Sequence, residues 1–549
     1  MAHSWPGASR FSTMTLPVLD RACLYCDQFT YVQDYKSRRL YTLERPLRVV
    51  SQMTICNDTG CPGHHDLMTA EEETLLSPPH WMLAWDVFAH LGHARFGRHQ
   101  SVPEIREELH ERYNIALSED CIEDYIGRYQ AMVAARQRDL SLLKAEYRNV
   151  RGIVLSIDGL EPEKGHETLY TVRDLTRKRV WFAEALLSSS HDELKKLFLR
   201  AKAMAGDIGV PIRGWVSDKQ DGFLTGISEL FPGMPHRYCQ NHFLRGLAKP
   251  MMEIDSHAKV QMRRKVRGLR SIEKDILKRA EQAEKNSDAA SRDKSVLGYC
   301  AAVRGILNKN QGGPLDPPGL RMAEGLREVR ASIERSVDAD VGGEAERSLK
   351  RLGSCIDRGL SEVAGDLKKI PGYVATLRAV YDAMDLVTGS AKQRQSRFQE
   401  ICDEVRHSID PIRVKMAEMM EAWKPGLFSG GQRFKQVQDN LDLERWFRLP
   451  KSHERKIHGR QHAGVRIVQE GPSLILTLDA HHSHKRPFTE EELRPYVGAK
   501  PTMDELQAVE RRKIMRRAAS RKGRTGLLDD LENGYVRPGP DEDEDEDAR

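Results

Sequence analysis

The chain has 549 residues, 39% of them hydrophobic and 30% charged, with 86 lysines and arginines against 81 aspartates and glutamates and a formal net charge of +5. That length exceeds what one hydrophobic core usually holds, so several modules are expected. No apolar run is long enough to span a bilayer and the first residues lack the apolar middle of a signal peptide, so the expectation is a cytoplasmic protein (nucleoid-associated if bacterial) with no membrane partner.

Nine cysteines in this length do not suggest a disulfide framework. Residues 1–22 read as a leader. Cys23, Cys26, Cys56 and Cys61 follow in "CLYC" and "CNDTGCPGHH". Two such pairs separated by a loop predict a zinc ribbon or knuckle over 23–66, with thiolates as soft tetrahedral ligands. His64 or His65 could stand in for Cys61, and four unrelated thiols are the plain alternative. Four ligands leave no open position, so the zinc would be structural.

Residues 79–146 carry apolar residues at helical spacing. Ser101 and Ser118 sit where N-caps are wanted, and Pro103 falls in a first turn, where proline is tolerated. Cys121, Ile122, Tyr125, Ile126 and Tyr129 form a stripe. Three helices with short connections resemble a helix-turn-helix DNA-binding domain whose last helix would read the groove, with a plain helical bundle as the alternative.

Over 150–250 the order read is β-β-β-α-β-α-β. "GIVLSIDG" predicts a strand ending on Asp158, where Asp-Gly also reads as a turn. "ETLYTVRD" and "RVWFAEALL" predict a hairpin joined by "LTRKR". "SHDELKKLFLRAKAMAGDIG" predicts an amphipathic helix capped at Ser190 or His191 and stopped by glycine. "IRGWVSD" predicts a second strand ending on an acid, Asp218, preferred to Asp221 because it follows the strand directly. Residues 251–430 are charged and helix-rich, broken by "GGPLDPPG" at 312–319. In 431–480, a helix is expected up to Pro450 and a hairpin over "GVRIVQEGPSLILTLD". The end, 481–549, reads as a basic then acidic tail, largely disordered, because "VERRKIMRRAASRKGR" precedes "DEDEDEDAR". The body without its acidic end is more basic than the total, which fits a polyanionic partner.

Asp158 and Asp218 share a feature. Each follows a short apolar strand, and neighbouring strands would bring both carboxylates to one sheet end. Two bare carboxylates there would repel, and a divalent cation removes the conflict. Magnesium, or manganese, suits oxygen ligands. Two such ions about 3.5–4 Å apart activate an attacking oxygen and stabilise a leaving one in phosphoryl transfer.

This order, with a late glutamate, resembles the RNase H-like core of DDE transposases and retroviral integrases. Cys239 and His242, a CxxH in "HRYCQNH" after the second aspartate, resemble the signature of Mutator-like and hAT-type transposases and related bacterial insertion-sequence enzymes. The core resemblance covers roughly 150–250 and 430–480, under a third of the chain. It implies a multidomain α/β protein, its RNase H-like mixed-sheet core interrupted by an all-α insertion at 251–430, behind N-terminal zinc and helix-turn-helix modules. Asp439, Asp442 and Glu444 compete as the third ligand. The family pattern N…E…F/R…K…R…G fits Asn440, Glu444, Arg448, Lys451, Arg455 and Gly459, which selects Glu444. By resemblance, Asp158, Asp218 and Glu444 hold two magnesium ions. Arg445, Arg448, Lys451 and Arg455 face the phosphate backbone, or form a solvated basic face. Trp423 stacks on a flipped base, or is a core tryptophan. Cys239 and His242 bind metal with further partners, or pack at the root of the insertion. The implied activity is cleavage and strand transfer of double-stranded DNA, at element ends and target, by a homo-oligomer. A transposase-derived DNA-binding regulator and a metal-dependent nuclease without strand transfer are the rivals.

Overall fold

In the computed structural model, the first strand is β1 (Ser12–Leu16), inside the stretch expected to be a leader. It pairs in parallel with β3 (Pro46–Cys56), and β2 (Thr30–Tyr41) pairs with β3 from the other side, giving the order β1-β3-β2 with the short β4 (Met68–Thr69) also on β3. Alternation decides the faces. Leu40, Leu47 and Val49 are buried together, with Met14, Leu16 and Leu76 of α1 (Glu72–Leu76) against them. A strand of alternating small and apolar residues thus finds a partner, which a reading of composition alone does not foresee.

The structure describes residues 11–161, 167–282, 288–309, 311–339, 342–434, 440–459 and 463–536. It is mixed α/β and 65% helical. The chain divides into two compact units: residues 1–215, 220–234 and 441–549, and residues 216–219 and 235–440. Among the described residues no helix is long and apolar enough to cross a membrane.

In the first unit, the helices expected over 79–146 form as α2 (Trp85–Gly92), α3 (Val102–Tyr113), α4 (Glu119–Arg138) and α5 (Leu140–Tyr147), with a π-helical turn at His93–Gly97. Ser101 caps α3 through a reciprocal bond with Glu104, Ser118 caps α4 from the Cys121 N–H, and Asn114 ends α3 in the left-handed conformation. The α4 stripe is core: Ile122, Tyr125, Ile126 and Tyr129 are buried. A Cβ on Gly92 would lie 2.2 Å from the Tyr129 ring, so glycine allows α2 to lie against α4.

A five-stranded sheet follows, built from β5 (Ile153–Leu160), β6 (Thr168–Asp174), β7 (Arg179–Leu186), β8 (Ile212–Ser217) and β9 (His236–Tyr238) in the order β7-β6-β5-β8-β9. The first three strands run antiparallel. Next to β5, β8 begins beside its start: the Ile153 N–H donates to the Pro211 carbonyl at 3.0 Å. Between β7 and β8 runs α6 (His191–Ile208), capped by Ser190 and ended by Gly209 at φ 82°; α7 (Asp221–Leu230) links β8 to β9. Leu194, Leu197, Phe198 and Ala201 of α6 bury against Trp215 and Phe223. The element order is the β-β-β-α-β-α-β of the sequence.

Apart from β9 and the last residues of β8, the described residues of the second unit are mainly helical, with eight helices from α8 (Gln240–Lys265) to α15 (Pro411–Leu427). One apolar core, including Phe243, Met262, Leu326, Leu352 and Phe398, holds them. The 312–319 stretch lies between helices Asp288–Asn308 and Pro318–Val337, as its prolines and glycines predict. The buried Asp255 carboxylate accepts the Gly319 and Leu320 N–H groups, each at 2.8 Å, and so caps the second of those helices.

The chain re-enters the first unit through α16 (Leu441–Trp446), α17 (Arg448–His458), α18 (Gly464–Ser483), α19 (Glu490–Leu493), α20 (Met503–Ala519) and α21 (Arg521–Val536). Three expectations change here. The helix does not stop at Pro450, because Pro450 lies in the first turn of α17, where an N–H has no helical partner anyway. The expected hairpin over 464–479 is a helix. Its run from Leu474 to His481 is buried on every side, since Leu474, Leu478 and Ala480 pack with the α2–α4 core while Ile475 and Leu476 pack with β6 and β7 residues. "EGPS" is a helix break: Gly471 takes φ 72° and ψ −162°, and Glu505 accepts the Ser473 N–H at 2.8 Å beyond it. The expected disordered tail contains α19 to α21, with Phe488, Leu493 and Arg512 buried. Arg512 donates to the carbonyls of Val468 and Gln469, left open by that break, which gives its charge a structural task. The acidic run at 541–549 lies outside the described residues.

Candidate functional site

Cys23 and Cys26 lie on the turn before β2, Cys56 closes β3, and Cys61 precedes a 3-10 turn at Pro62–His64. The first turn is tight: the Asp27 N–H donates to the Cys23 carbonyl at 2.9 Å, with Asp27 at φ 57°. All four sulfurs lie within 4.8 Å of one another, with Cys23–Cys61 at 3.8 Å and Cys26–Cys56 at 3.5 Å. A tetrahedral ion with metal–sulfur bonds of about 2.3 Å sets sulfurs about 3.8 Å apart, so the four cysteines fit a metal such as zinc.

Backbone N–H groups of Tyr25 and Asp58 point at the sulfurs of Cys23 and Cys56, at 3.5 and 3.4 Å. The first holds the Cys23 thiol down to about 7, while burial pushes Cys61 up to about 12. Four thiolates this close need a cation to coexist. Gly63 is required by space, because a Cβ there would sit 2.6 Å from the Cys23 sulfur. The His64 Nδ1 lies 2.8 Å from the Cys56 carbonyl oxygen, so the ring braces that loop and Cys61 completes the four.

Asp158 is half-buried and does not end its strand. β5 continues to Leu160, with Asp158 opposite Thr171 and Gly159 opposite Tyr170. The Gly159 N–H donates to Asp158 Oδ1 at 2.9 Å. Gly159 makes no turn; its Cβ would meet Thr168 at 2.8 Å and Tyr170 at 3.0 Å, so a close neighbouring strand demands glycine. Asp218 follows β8 directly and is half-buried, while Asp221 is the first residue of α7. In the second unit, Ser217 Oγ donates to the Asp218 carbonyl at 2.6 Å and lies 2.8 Å from His236 Nε2. Burial lowers His236 to about 4, so the ring is neutral and its Nε2–H donates to Ser217. Cys239 is buried at the N-cap position of α8, with His242 in the first turn. The Cys239 sulfur accepts the Asn440 N–H at 3.3 Å.

Glu444 is half-buried on α16. Asp442, two residues before it, accepts from Arg173 Nε at 2.9 Å. Asp439 lies outside the described residues. Arg445 is exposed on α16; Arg448 and Arg455 are exposed and Lys451 half-buried on α17, where a spacing of three and four residues puts all three on one side. Trp423 is half-buried and packs against the second unit's core, its ring 5.8 Å from Tyr238 and 5.7 Å from Phe243.

Two buried polar groups of the first unit were not singled out from sequence. Arg173, 2% exposed, donates to Asp479 Oδ1 at 2.8 Å as well as to Asp442. The second oxygen of Asp479 accepts the Val180 N–H at 2.9 Å, so this acid ties α18 to the sheet. The signal was available: charged residues inside or closing the apolar runs "YTVRD" and "LILTLDA". The other is a set of imidazoles, with His453 3.0 Å from His99 and His481 3.0 Å from the Tyr129 hydroxyl, both stacked on Phe96.

No protein-family model matches this chain, and no curated protein matches it.

Proposed function

We propose that this protein is a DDE-type DNA transposase. The observation that carries the reading is topological. Asp158 lies near the end of β5, and Asp218 directly follows β8, the strand beside it in the sheet. Further support comes from the chain path, which leaves the first unit for a helical body and returns at Leu441, just before Glu444. Three carboxylates form a donor set suited to hard divalent ions. Asp158, Asp218 and Glu444 would hold two magnesium or manganese ions, which supply activation of the attacking oxygen and stabilisation of the leaving one when bound. Arg445, Arg448, Lys451 and Arg455 would position the phosphate backbone without reading sequence. Water hydrolyses one strand and frees a 3′-hydroxyl, and attack of that hydroxyl on a target phosphate displaces the target strand's own 3′-oxygen and joins the two DNAs, with no covalent protein–DNA bond. The four-cysteine site would hold a structural zinc.

The test uses the purified chain, a supercoiled target plasmid, and linear DNA carrying the sequences that flank its own gene. The expected outcome with magnesium or manganese is strand nicking at those ends and joined products. Asp158→Asn abolishes both while leaving the melting temperature unchanged. Cleavage that persists in Asp158→Asn refutes the assigned site, and cleavage without joining selects a nuclease instead.

A further inference from the structure

The first unit holds a cavity of about 780 Å³ that the transposase reading does not use. It lies beside the break in α18. Gln469 to Ser473 form one wall, β7 from Ala183 to Leu186 forms another, and α4, α6 and α20 supply the rest. Ala131, Leu186, Pro472 and Ala508 make much of the lining apolar. The volume falls within the roughly 300–1,000 Å³ of small-molecule sites. Two arginines also line it, and neither has a hydrogen bond to a carboxylate. Arg512, 5% exposed, donates to backbone carbonyls only, and its Nε–H is buried with no partner among the described residues. Arg138, the last residue of α4, likewise has a buried Nε–H with no partner among the described residues, while 29% of its side chain stays open. Its ion pair is a loose one, with Glu505 at 3.8 Å. Glu505 is already spent. Its Oε1 accepts the Ser473 N–H at 2.8 Å and the Ser473 hydroxyl at 2.6 Å, and its Oε2 accepts the Thr502 N–H at 2.9 Å. Of the other acids lining the cavity, Glu184 is held by Arg200 at 2.9 Å and Glu193 by Lys196 at 2.5 Å.

We propose that this cavity binds a small organic carboxylate with an apolar body, its carboxylate on Arg138 and its body against Ala131, Leu186 and Pro472. A guanidinium drawn out of water without acceptors costs free energy, and a ligand that supplies the acceptor recovers it. The planar fork of arginine matches a carboxylate with two parallel bonds, which sets the chemistry of the ligand's head. The apolar walls set the chemistry of its body. An inorganic anion would answer Arg138 and leave those walls wet, while a neutral apolar molecule would cover the walls and leave Arg138 without an acceptor. Only a molecule with both parts meets both demands. Such a ligand would touch α4, β7 and the α18 break at once, and so brace the late helices against the sheet. The site stands independently of the carboxylates assigned to phosphoryl transfer.

The experiment uses the full-length protein and two fluorescent probes with similar rings, anilinonaphthalene sulfonate, which carries an anionic head, and phenylnaphthylamine, which carries none. Decanoate, kept below its micellar concentration, is the competitor. Wild type is expected to bind both probes and to release both to decanoate. Arg138→Gln is expected to weaken the sulfonate and decanoate by about tenfold or more, and the neutral probe by less than about twofold, because only the charge-assisted bonds are lost. Gly127→Phe tests the place. Gly127 lines the cavity on α4, and a Cβ there meets no atom within 4 Å, so the ring enters open space. This variant is expected to weaken all three molecules by about tenfold or more. It keeps the proposal testable even where Arg138→Gln folds poorly. Decanoate should also raise the melting temperature of wild type and leave that of Gly127→Phe unmoved. The proposal is overturned if Arg138→Gln keeps wild-type affinity for the sulfonate, if it weakens the neutral probe equally, or if Gly127→Phe binds as wild type does. Release of the sulfonate by inorganic phosphate or by a DNA duplex, with none by decanoate, overturns it as well. DNA cleavage enters no arm of this test, so its outcome is separate from that of Asp158→Asn.

Discussion

Replacing Cys61 by serine is expected to weaken zinc binding by about 10²–10³-fold. Structural zinc in small modules binds with about 10–16 kcal/mol at neutral pH. An equal share per thiolate is about 2.5–4 kcal/mol, and 1.4 kcal/mol is a factor of ten. The geometry gives serine little chance to compensate, because its oxygen is shorter-bonded and stays protonated where Cys61 is buried among the other three sulfurs. The metal would hold the far end of the β2–β3 ladder, where Thr30 pairs with Cys56. The aliphatic cluster at Leu40, Leu47 and Val49 lies toward the other end of that ladder and does not replace it. The assay is competition with a chromogenic chelator, together with hydrogen exchange at the amides of Asp27, Thr30 and Cys61. His64→Ala serves as the comparison and is expected to cost less than about tenfold, since the ring contacts the Cys56 carbonyl and no sulfur. If His64→Ala weakens zinc as much as Cys61→Ser does, or Cys61→Ser binds one zinc at wild-type affinity, the four-cysteine assignment is wrong.

Stability should depend on pH through the buried imidazoles. Burial holds His453 down to about 2 and His481 down to about 3, against about 6.5 unfolded. Their contribution is present above 6.5 and lost as pH falls, by about 3 kcal/mol for the pair between 6.5 and 5. Glu454, pushed up to about 7 by burial, works oppositely: its contribution is full below the unfolded carboxyl range and is lost as pH rises through 7, returning about 2 kcal/mol over the same fall. Urea midpoints should therefore drop by the equivalent of about 1–2 kcal/mol between pH 6.5 and 5; Glu454→Gln should steepen that drop, and a drop unchanged by His453→Gln, His481→Gln would count against the burial explanation. Gly471→Ala should cost roughly 1–3 kcal/mol in thermal or urea unfolding, because φ 72° with ψ −162° is a glycine conformation; an unchanged midpoint would mean that the α18 break is not needed.

What could be read from the sequence depended on how local the cause was. The cysteine pairs were legible because each pair sits on one short turn. Ser101, Ser118 and Ser190 were legible as caps because a cap is decided within four residues. The helix α18 was not, because its all-round apolar run is explained only by two partners, the sheet and α4, far apart in sequence. Short apolar runs do not distinguish a buried helix from a buried strand, and Gly-Pro, which punctuates both, pointed to the commoner turn. The basic segment near 512 looked like solvated charge until the carbonyls it caps were known.

Asp158 shows the limit most sharply. Its residue type and its place in an apolar run were legible, and the following glycine suggested the reason for both, a turn. The strand instead continues through it. The glycine answers to Thr168 and Tyr170 on the neighbouring strand, and the carboxylate is carried by a paired strand in place of a loop. A paired strand holds a side chain more tightly than a turn does, which is what the role proposed for Asp158 would require. The distinction is measurable: Gly159→Ala crowds the β5–β6 pair and should lower the urea or thermal unfolding midpoint, whereas in a turn at ordinary φ the same change would be nearly neutral.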